Sequence, residues 1–135
     1  MSLFKTGRRV VSASLVGGVV VLPLLMSGGA SAAGVQGGRL RLTVSGAQNT
    51  WIRGVELTCP GASGYHPHAA EACDALALAD GEPGAVTGST RLCLGKFDPV
   101  TATAEGEWDG LPVVWRRTYP SACALDSATG AVFRF

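Results

Sequence analysis

The stretch VTATAEGEWDGLPVVWRRTY, residues Val100 to Tyr119, decides the fold. Residues 100–105 and 111–119 alternate apolar and polar side chains, the period of a half-buried strand. Between them, Gly106-Glu107-Trp108-Asp109-Gly110 has the composition of a tight reversal. The three pieces read as one hairpin. Working outward, Leu40-Arg41-Leu42-Thr43-Val44 and Val55-Glu56-Leu57-Thr58-Cys59 alternate in the same way, with a Gly-bounded connection from Gly46 to Gly54, and make a second hairpin. Residues 131–135 have the composition of a final strand. Residues 68–79 hold eight Ala and Leu without Gly or Pro, which predicts a helix. Pro67 suits its first turn and Gly81 lies just past its end. Residues 120–125 predict one further helical turn. The sum is an α+β domain, a five-stranded antiparallel sheet with two helices on one face.

The N-terminus reads as an export signal rather than as part of that domain. Lys5, Arg8 and Arg9 precede an uncharged, almost wholly apolar run over 10–26, and Ala30-Ser31-Ala32 supplies a small-x-small cleavage site. A membrane anchor fits less well, because Gly17, Gly18 and Pro23 interrupt a run that needs ~20 apolar residues to span a bilayer. The Arg8-Arg9 pair alone does not decide between general and twin-arginine export. Residues 1–32 are therefore expected to be a signal peptide and 33–135 a secreted, extracellular domain that begins with a mobile Gly-rich tail over 33–38. That domain holds eight Lys and Arg against ten Asp and Glu, so no basic patch points to nucleic acid.

A chain this short buries only a modest core and usually needs extra constraint. All four cysteines, Cys59, Cys73, Cys93 and Cys123, fall in the exported part and read as two disulfides. Spacing leaves three pairings open, and the lack of a C-x-x-C pair argues against a zinc site. Nothing in the chain assembles a catalytic group. His66 and His68 lack a third metal ligand and read as surface histidines. There is no G-x-S-x-G, no phosphate-binding glycine loop and no evident carboxylate pair. No enzyme, metal or cofactor is expected. Core packing is the simplest reading of most of the tryptophans: Trp115 reads as core or interface, and Trp108, beside a turn, as core or as a cover for a sheet edge.

The informative segment is Cys93-Leu94-Gly95-Lys96-Phe97-Asp98-Pro99. A cysteine and a proline bracket a run too short for regular structure. A disulfide at Cys93 would pin it, so that it could be offered to a partner already ordered, with little further entropy lost on binding. Taken without its surroundings, the run is also what an ordinary connecting loop looks like.

The chain resembles the Streptomyces subtilisin inhibitors along nearly all of the exported part. The similarity is carried by Leu57-Thr58-Cys59-Pro60 with Ser63-Gly64, His66-Pro67 and Ala72-Cys73, then by Cys93 with Phe97-Asp98-Pro99-Val100. Gly106-x-Trp108-x-Gly110, Tyr119 four residues before Cys123, and Ala131-Val132-Phe133-x-Phe135 complete it. The resemblance implies the pairing Cys59–Cys73 and Cys93–Cys123, a homodimer formed sheet to sheet, and an inhibitor that a subtilisin-like serine protease binds as a very slowly cleaved substrate. It places the scissile bond at Gly95–Lys96. Gly95 would enter the primary specificity pocket and Leu94 the adjacent subsite, with Lys96 and Phe97 on the leaving-group side and Cys93 and Asp98 flanking. Two residues depart from the family pattern. Gly95 stands where a large side chain is usual, and Ser121 stands where an asparagine often braces the loop. Those departures keep two other readings open: a trypsin-like target with Lys96 in the pocket, and a non-inhibitory binding module on the same scaffold. A small secreted hydrolase has no residue constellation behind it.

Overall fold

The computed structural model describes residues 36–135, together with Gly17 and Gly18. The export signal expected over 1–32 therefore lies outside the described residues, apart from those two glycines. No helix among the described residues is long and apolar enough to cross a membrane.

The elements in chain order are strand β1 (Gly38–Gly46), β2 (Ile52–Cys59), β3 (Ser63–Gly64), helix α1 (Ala69–Leu78), β4 (Val100–Trp108), β5 (Leu111–Tyr119) and helix α2 (Ala122–Thr129). They form one five-stranded sheet in the order β3-β2-β1-β4-β5, and every neighbouring pair is antiparallel. Both hairpins expected from the alternating runs are present. The β4–β5 reversal uses Asp109 and Gly110 at φ +49° and +77°, the positive-φ pair of a type I′ turn, whose twist matches that of the flanking strands. Trp108 pairs with Leu111 across it. Asp109 also reaches across the sheet, because its Oδ1 accepts the Gly37 N–H at 2.9 Å. The expected N-terminal tail is thus fixed from Gly37 onward, and β1 already begins at Gly38.

Alternation sorts the strands into two faces. Leu40, Leu42 and Val44 of β1 are buried with Leu57 of β2 and with Val100, Ala102 and Ala104 of β4. Against this face pack α1, through Ala72, Cys73 and Leu76, and α2, through Leu125. The opposite face carries Arg39, Arg41, Thr43 and Ser45 of β1, with the matching positions of β2, β4 and β5.

Helix α1 starts at Ala69 with His68 as N-cap, so Pro67 precedes the cap instead of occupying the first turn. Its end is a Schellman closure: the Gly81 N–H reaches the Leu76 carbonyl at 2.8 Å and the Asp80 N–H the Ala77 carbonyl at 3.4 Å. Asp80 takes the left-handed position at φ +52°. Gly81 is required for a further reason, since a Cβ there would sit 2.2 Å from Trp108 Cγ. Trp108 is accordingly a buried core residue packed on the helix exit, not a cover over a sheet edge.

Two further expectations are corrected. Residues 131–135 do not form a strand. Gly130–Phe133 is a 3-10 turn that packs against both helices, with Ala131, Val132 and Phe133 all buried. A residue buried on every side shows no period of two, and an apolar run does not by itself separate strand from helix. The fifth strand is instead the two-residue β3, which pairs Leu57 with Gly64 and Thr58 with Ser63. The second correction concerns His66, which is 5% exposed and not a surface residue. Its Nε2 lies 2.9 Å from the Val132 carbonyl and its Nδ1 accepts the His68 N–H at 3.0 Å. The ring therefore donates from Nε2 and accepts at Nδ1, which is the neutral form.

Burial of His66 holds its pKa below the usual histidine value, with the nearby His68 acting in the same direction against the Val132 hydrogen bond. The unfolded chain then binds a proton more readily than the folded one as pH drops below about 6.5. Stability from this site is complete above that pH and is lost as pH falls toward the depressed folded value. Thermal unfolding between pH 7.5 and 5.5 should show a falling Tm, with a shallower slope in His66→Gln. Equal slopes would remove His66 from the explanation.

Candidate functional site

Both disulfides implied by the resemblance are formed. Cys59–Cys73 ties the end of β2 to α1, and Cys93–Cys123 ties the segment ahead of β4 to α2. The second bridge is one of several anchors on that segment. Between the 3-10 turn at Pro83–Ala85 and β4, the chain has no regular structure and runs along α2 in the reverse direction. The Ser89 N–H bonds the Ser127 carbonyl at 2.7 Å. Gly88 lies so close that a Cβ there would meet the Ser127 oxygen at 2.2 Å. The Ser127 hydroxyl donates to the Arg91 carbonyl at 3.5 Å. Arg91 Nη2 contacts Asp126 Oδ2 at 2.6 Å, and Cys93 is covalently bound to Cys123. On the far side a single hydrogen bond, from the Asp98 N–H to the Pro120 carbonyl at 3.0 Å, closes the loop just before Val100 enters the sheet.

Leu94, Gly95, Lys96 and Phe97 are left suspended between anchors that both end on residues 120–123. All four are exposed, with Leu94 at 86% and Phe97 at 78%. Two large apolar side chains held in solvent by a braced loop are costly in isolation and suited to insertion into a partner. Gly95 has φ +142° and no neighbour within 4 Å of where its Cβ would be, so the residue is free in space but sits in a backbone conformation that other residues rarely adopt.

Ser121 lies beneath the loop. With Cys93, Leu94, Gly95, Lys96 and Cys123 it lines a cleft of about 80 Å³. Its hydroxyl accepts the Ala124 N–H at 3.1 Å and caps α2. Among the described residues its side chain makes no hydrogen bond to the loop itself. It acts on the helix that carries Cys123, one step removed from the segment 94–97.

The sequence reading locates the loop and its disulfide but not its ion pairs. Arg91 lies 35 residues from Asp126, and Arg134 eight residues beyond it across the 3-10 turn, and no local pattern announces the two pairs. Helix α2 also runs to Thr129, beyond the single turn expected. No group of three or more His, Cys, Asp or Glu side chains that could hold a metal occurs among the described residues.

Comparisons with known proteins place the chain among protease inhibitors. The family model described as subtilisin inhibitor-like matches residues 36–121. The chain belongs to the subtilisin inhibitor-like family. The protease inhibitor SIL-V1/SIL-V4 of Streptomyces netropsis is 42% identical over 94 residues, which covers 67% of this chain and 86% of the relative. Kexstatin-1 of Streptomyces platensis is 34% identical over 144 residues, covering 95% of this chain and 99% of the relative. Among solved structures, Streptomyces caespitosus sermetstatin in complex with Bacillus licheniformis subtilisin aligns with a TM-score of 0.56 at 29% identity, over 74% of this chain and 99% of that one. As a subtilisin inhibitor-like protein the chain is not an enzyme.

Proposed function

We propose that this chain is a secreted inhibitor of subtilisin-like serine proteases, which engages its target through Leu94, Gly95, Lys96 and Phe97. The observation that carries the reading is the double anchoring of that segment, by the Cys93–Cys123 bridge on one side and the Asp98–Pro120 hydrogen bond on the other. Gly95 occupies the primary pocket and Leu94 the next. Attack by the protease serine on the Gly95 carbonyl breaks the amide to Lys96 and forms an acyl-enzyme with the Lys96 amine as leaving group. Because both limbs end on residues 120–123, the amine stays beside the ester. It re-forms the peptide bond faster than water hydrolyses the acyl group. A substrate binds in this way too, but its leaving group departs and that of the inhibitor does not.

The test is inhibition of subtilisin and trypsin by the purified protein, followed by sequencing of the loop after prolonged incubation. Inhibition of subtilisin, weakened by the pocket that Gly95 leaves unfilled, with a slow nick at Gly95–Lys96 is expected. A cut after Lys96 with preference for trypsin would reject this register. Such an outcome has an observation in its favour, since Gly95 lies at positive φ while exposed Lys96 offers a long cationic side chain.

The uncovered sheet face supports a homodimer. Arg41 stands between Glu56 and Glu105 on neighbouring strands, the Thr43 and Thr103 hydroxyls are hydrogen-bonded, and Val114 is 85% exposed on the same face. An open face of polar and β-branched residues suits face-to-face packing with a second copy. Val114→Glu should weaken the dimer at least several-fold in sedimentation equilibrium without changing loop cleavage. An unaltered dimer would move the interface elsewhere.

A further inference from the structure

The loop's upstream limb carries a brace of charged groups whose partners come from three separate parts of the chain. Asp126 on α2 holds two guanidinium groups at once. Its Oδ2 lies 2.6 Å from Arg91 Nη2, and its Oδ1 lies 2.7 Å from Arg134 Nε. Arg91 is two residues before the bridged Cys93. Arg134 follows the 3-10 turn whose Val132 and Phe133 are part of the hydrophobic core. The Asp126 carboxylate raises the Arg134 pKa, chiefly through their hydrogen bond. One carboxylate therefore connects the loop, the helix that carries the other half of the disulfide, and a segment rooted in the core.

Geometry separates this from a chance surface contact. Both bonds are short and charge-assisted, and the two carboxylate oxygens serve different partners, so Asp126 cannot turn away without losing both. The Arg91 backbone is fixed as well, since its carbonyl accepts the Ser127 hydroxyl at 3.5 Å. Ser121, by contrast, spends its hydroxyl on the helix cap. We propose that Asp126 is a positioning residue for the inhibitory loop, acting through Arg91 and steadied by Arg134, and that this brace limits how fast the loop is cut and released. The proposal rests on the inhibitory reading of residues 94–97.

Exposed ion pairs contribute little one at a time, so the effect is expected in loop motion and cleavage more than in global stability. Asp126→Asn should speed cleavage of the Gly95–Lys96 bond by subtilisin roughly three- to ten-fold. Arg91→Gln should match it, Arg91→Lys should recover part of the loss, and Arg134→Gln should have a smaller effect. Raising salt should accelerate cleavage of the wild-type protein and leave Asp126→Asn little changed, because only the former has a brace to screen. A second measurement needs no protease: backbone amide relaxation at residues 91–96 should show lower order parameters in Asp126→Asn, while amides of β1 and β4 stay unchanged. Lower order parameters without any inhibition by the wild type would reject the inhibitory reading and keep the brace. Inhibition by the wild type with identical cleavage rates and order parameters in Asp126→Asn would overturn the brace. A variant that merely loosens the fold would change the β1 and β4 amides too, and would equally count against it.

Discussion

Replacing Cys93 and Cys123 together by serine is expected to turn the protein from an inhibitor into a substrate. The bridge closes a span of 30 residues, and chain-entropy arguments assign about 3–4 kcal/mol to a closure of that length. Without it, the limb before Leu94 keeps only the Ser89 and Arg91 contacts to α2. The segment 94–97 is then held firmly on one side alone. Inhibition of subtilisin should weaken by roughly a hundred-fold or more, equivalent to ~2.7 kcal/mol, and the cut loop should release its new end. Titration of subtilisin activity with a parallel time course of loop cleavage would measure both. The matched control is Cys59→Ser with Cys73→Ser, which opens the bridge between β2 and α1. It should lower Tm while leaving the cleavage rate of the folded protein near that of wild type. Undiminished inhibition after loss of the Cys93–Cys123 bridge would mean that something other than this clamp orders the loop.

The second large effect is a gain. Gly95→Met should strengthen subtilisin inhibition about ten-fold. Burying a side chain of that size in an apolar pocket is worth ~1.5–3 kcal/mol. The opposing cost is conformational. Gly95 sits at φ +142°, where an L side chain is strained, and holding methionine there would cost about 1–3 kcal/mol. The residue need not stay there, since nothing lies within 4 Å of its Cβ position. A substrate-like strand occupies the β region at negative φ, so the rotation that relieves methionine is one the loop must make on binding in any case. Methionine also narrows the range of conformations that glycine allows before binding. Inhibition constants for the two proteins against one subtilisin decide the matter. No improvement would show that Gly95 does not face the primary pocket.

Much of the fold was legible because its information is local. Alternation in 100–105 and 111–119, with Asp109-Gly110 between, specifies a hairpin without reference to the rest of the chain, and α1 is announced by its Ala and Leu content. Elements defined by their surroundings were not legible. Ser63–Gly64 is a strand only because β2 lies beside it. Residues 131–133 look like a strand in composition, yet they are buried as a 3-10 turn against two helices. His66 looks like a surface residue in the sequence because its buried hydrogen-bond partner, the Val132 carbonyl, is 66 residues away. The candidate site divides in the same way. Cys93 and Pro99 mark the ends of the loop in the sequence, and family resemblance supplies the pairing of the cysteines. The convergence of Arg91 and Arg134 on Asp126 arises only once α2 is laid against the loop and the 3-10 turn brings the C-terminal segment back to the helix.

The strand order has a further consequence for how molecules of this kind behave when crowded. A sheet that is not closed into a barrel has two lateral margins, each with unmatched amide and carbonyl groups able to recruit another chain. Here one margin is shared: the two residues of β3 cover β2 only at Leu57 and Thr58, and the uncovered part of β2 carries the charged Arg53 and Glu56. The other is β5, which carries Pro112, without an amide hydrogen, and the adjacent cations Arg116 and Arg117. Both margins resist ribbon-like polymerisation, so self-association is steered away from open-ended growth and toward assemblies that close on themselves.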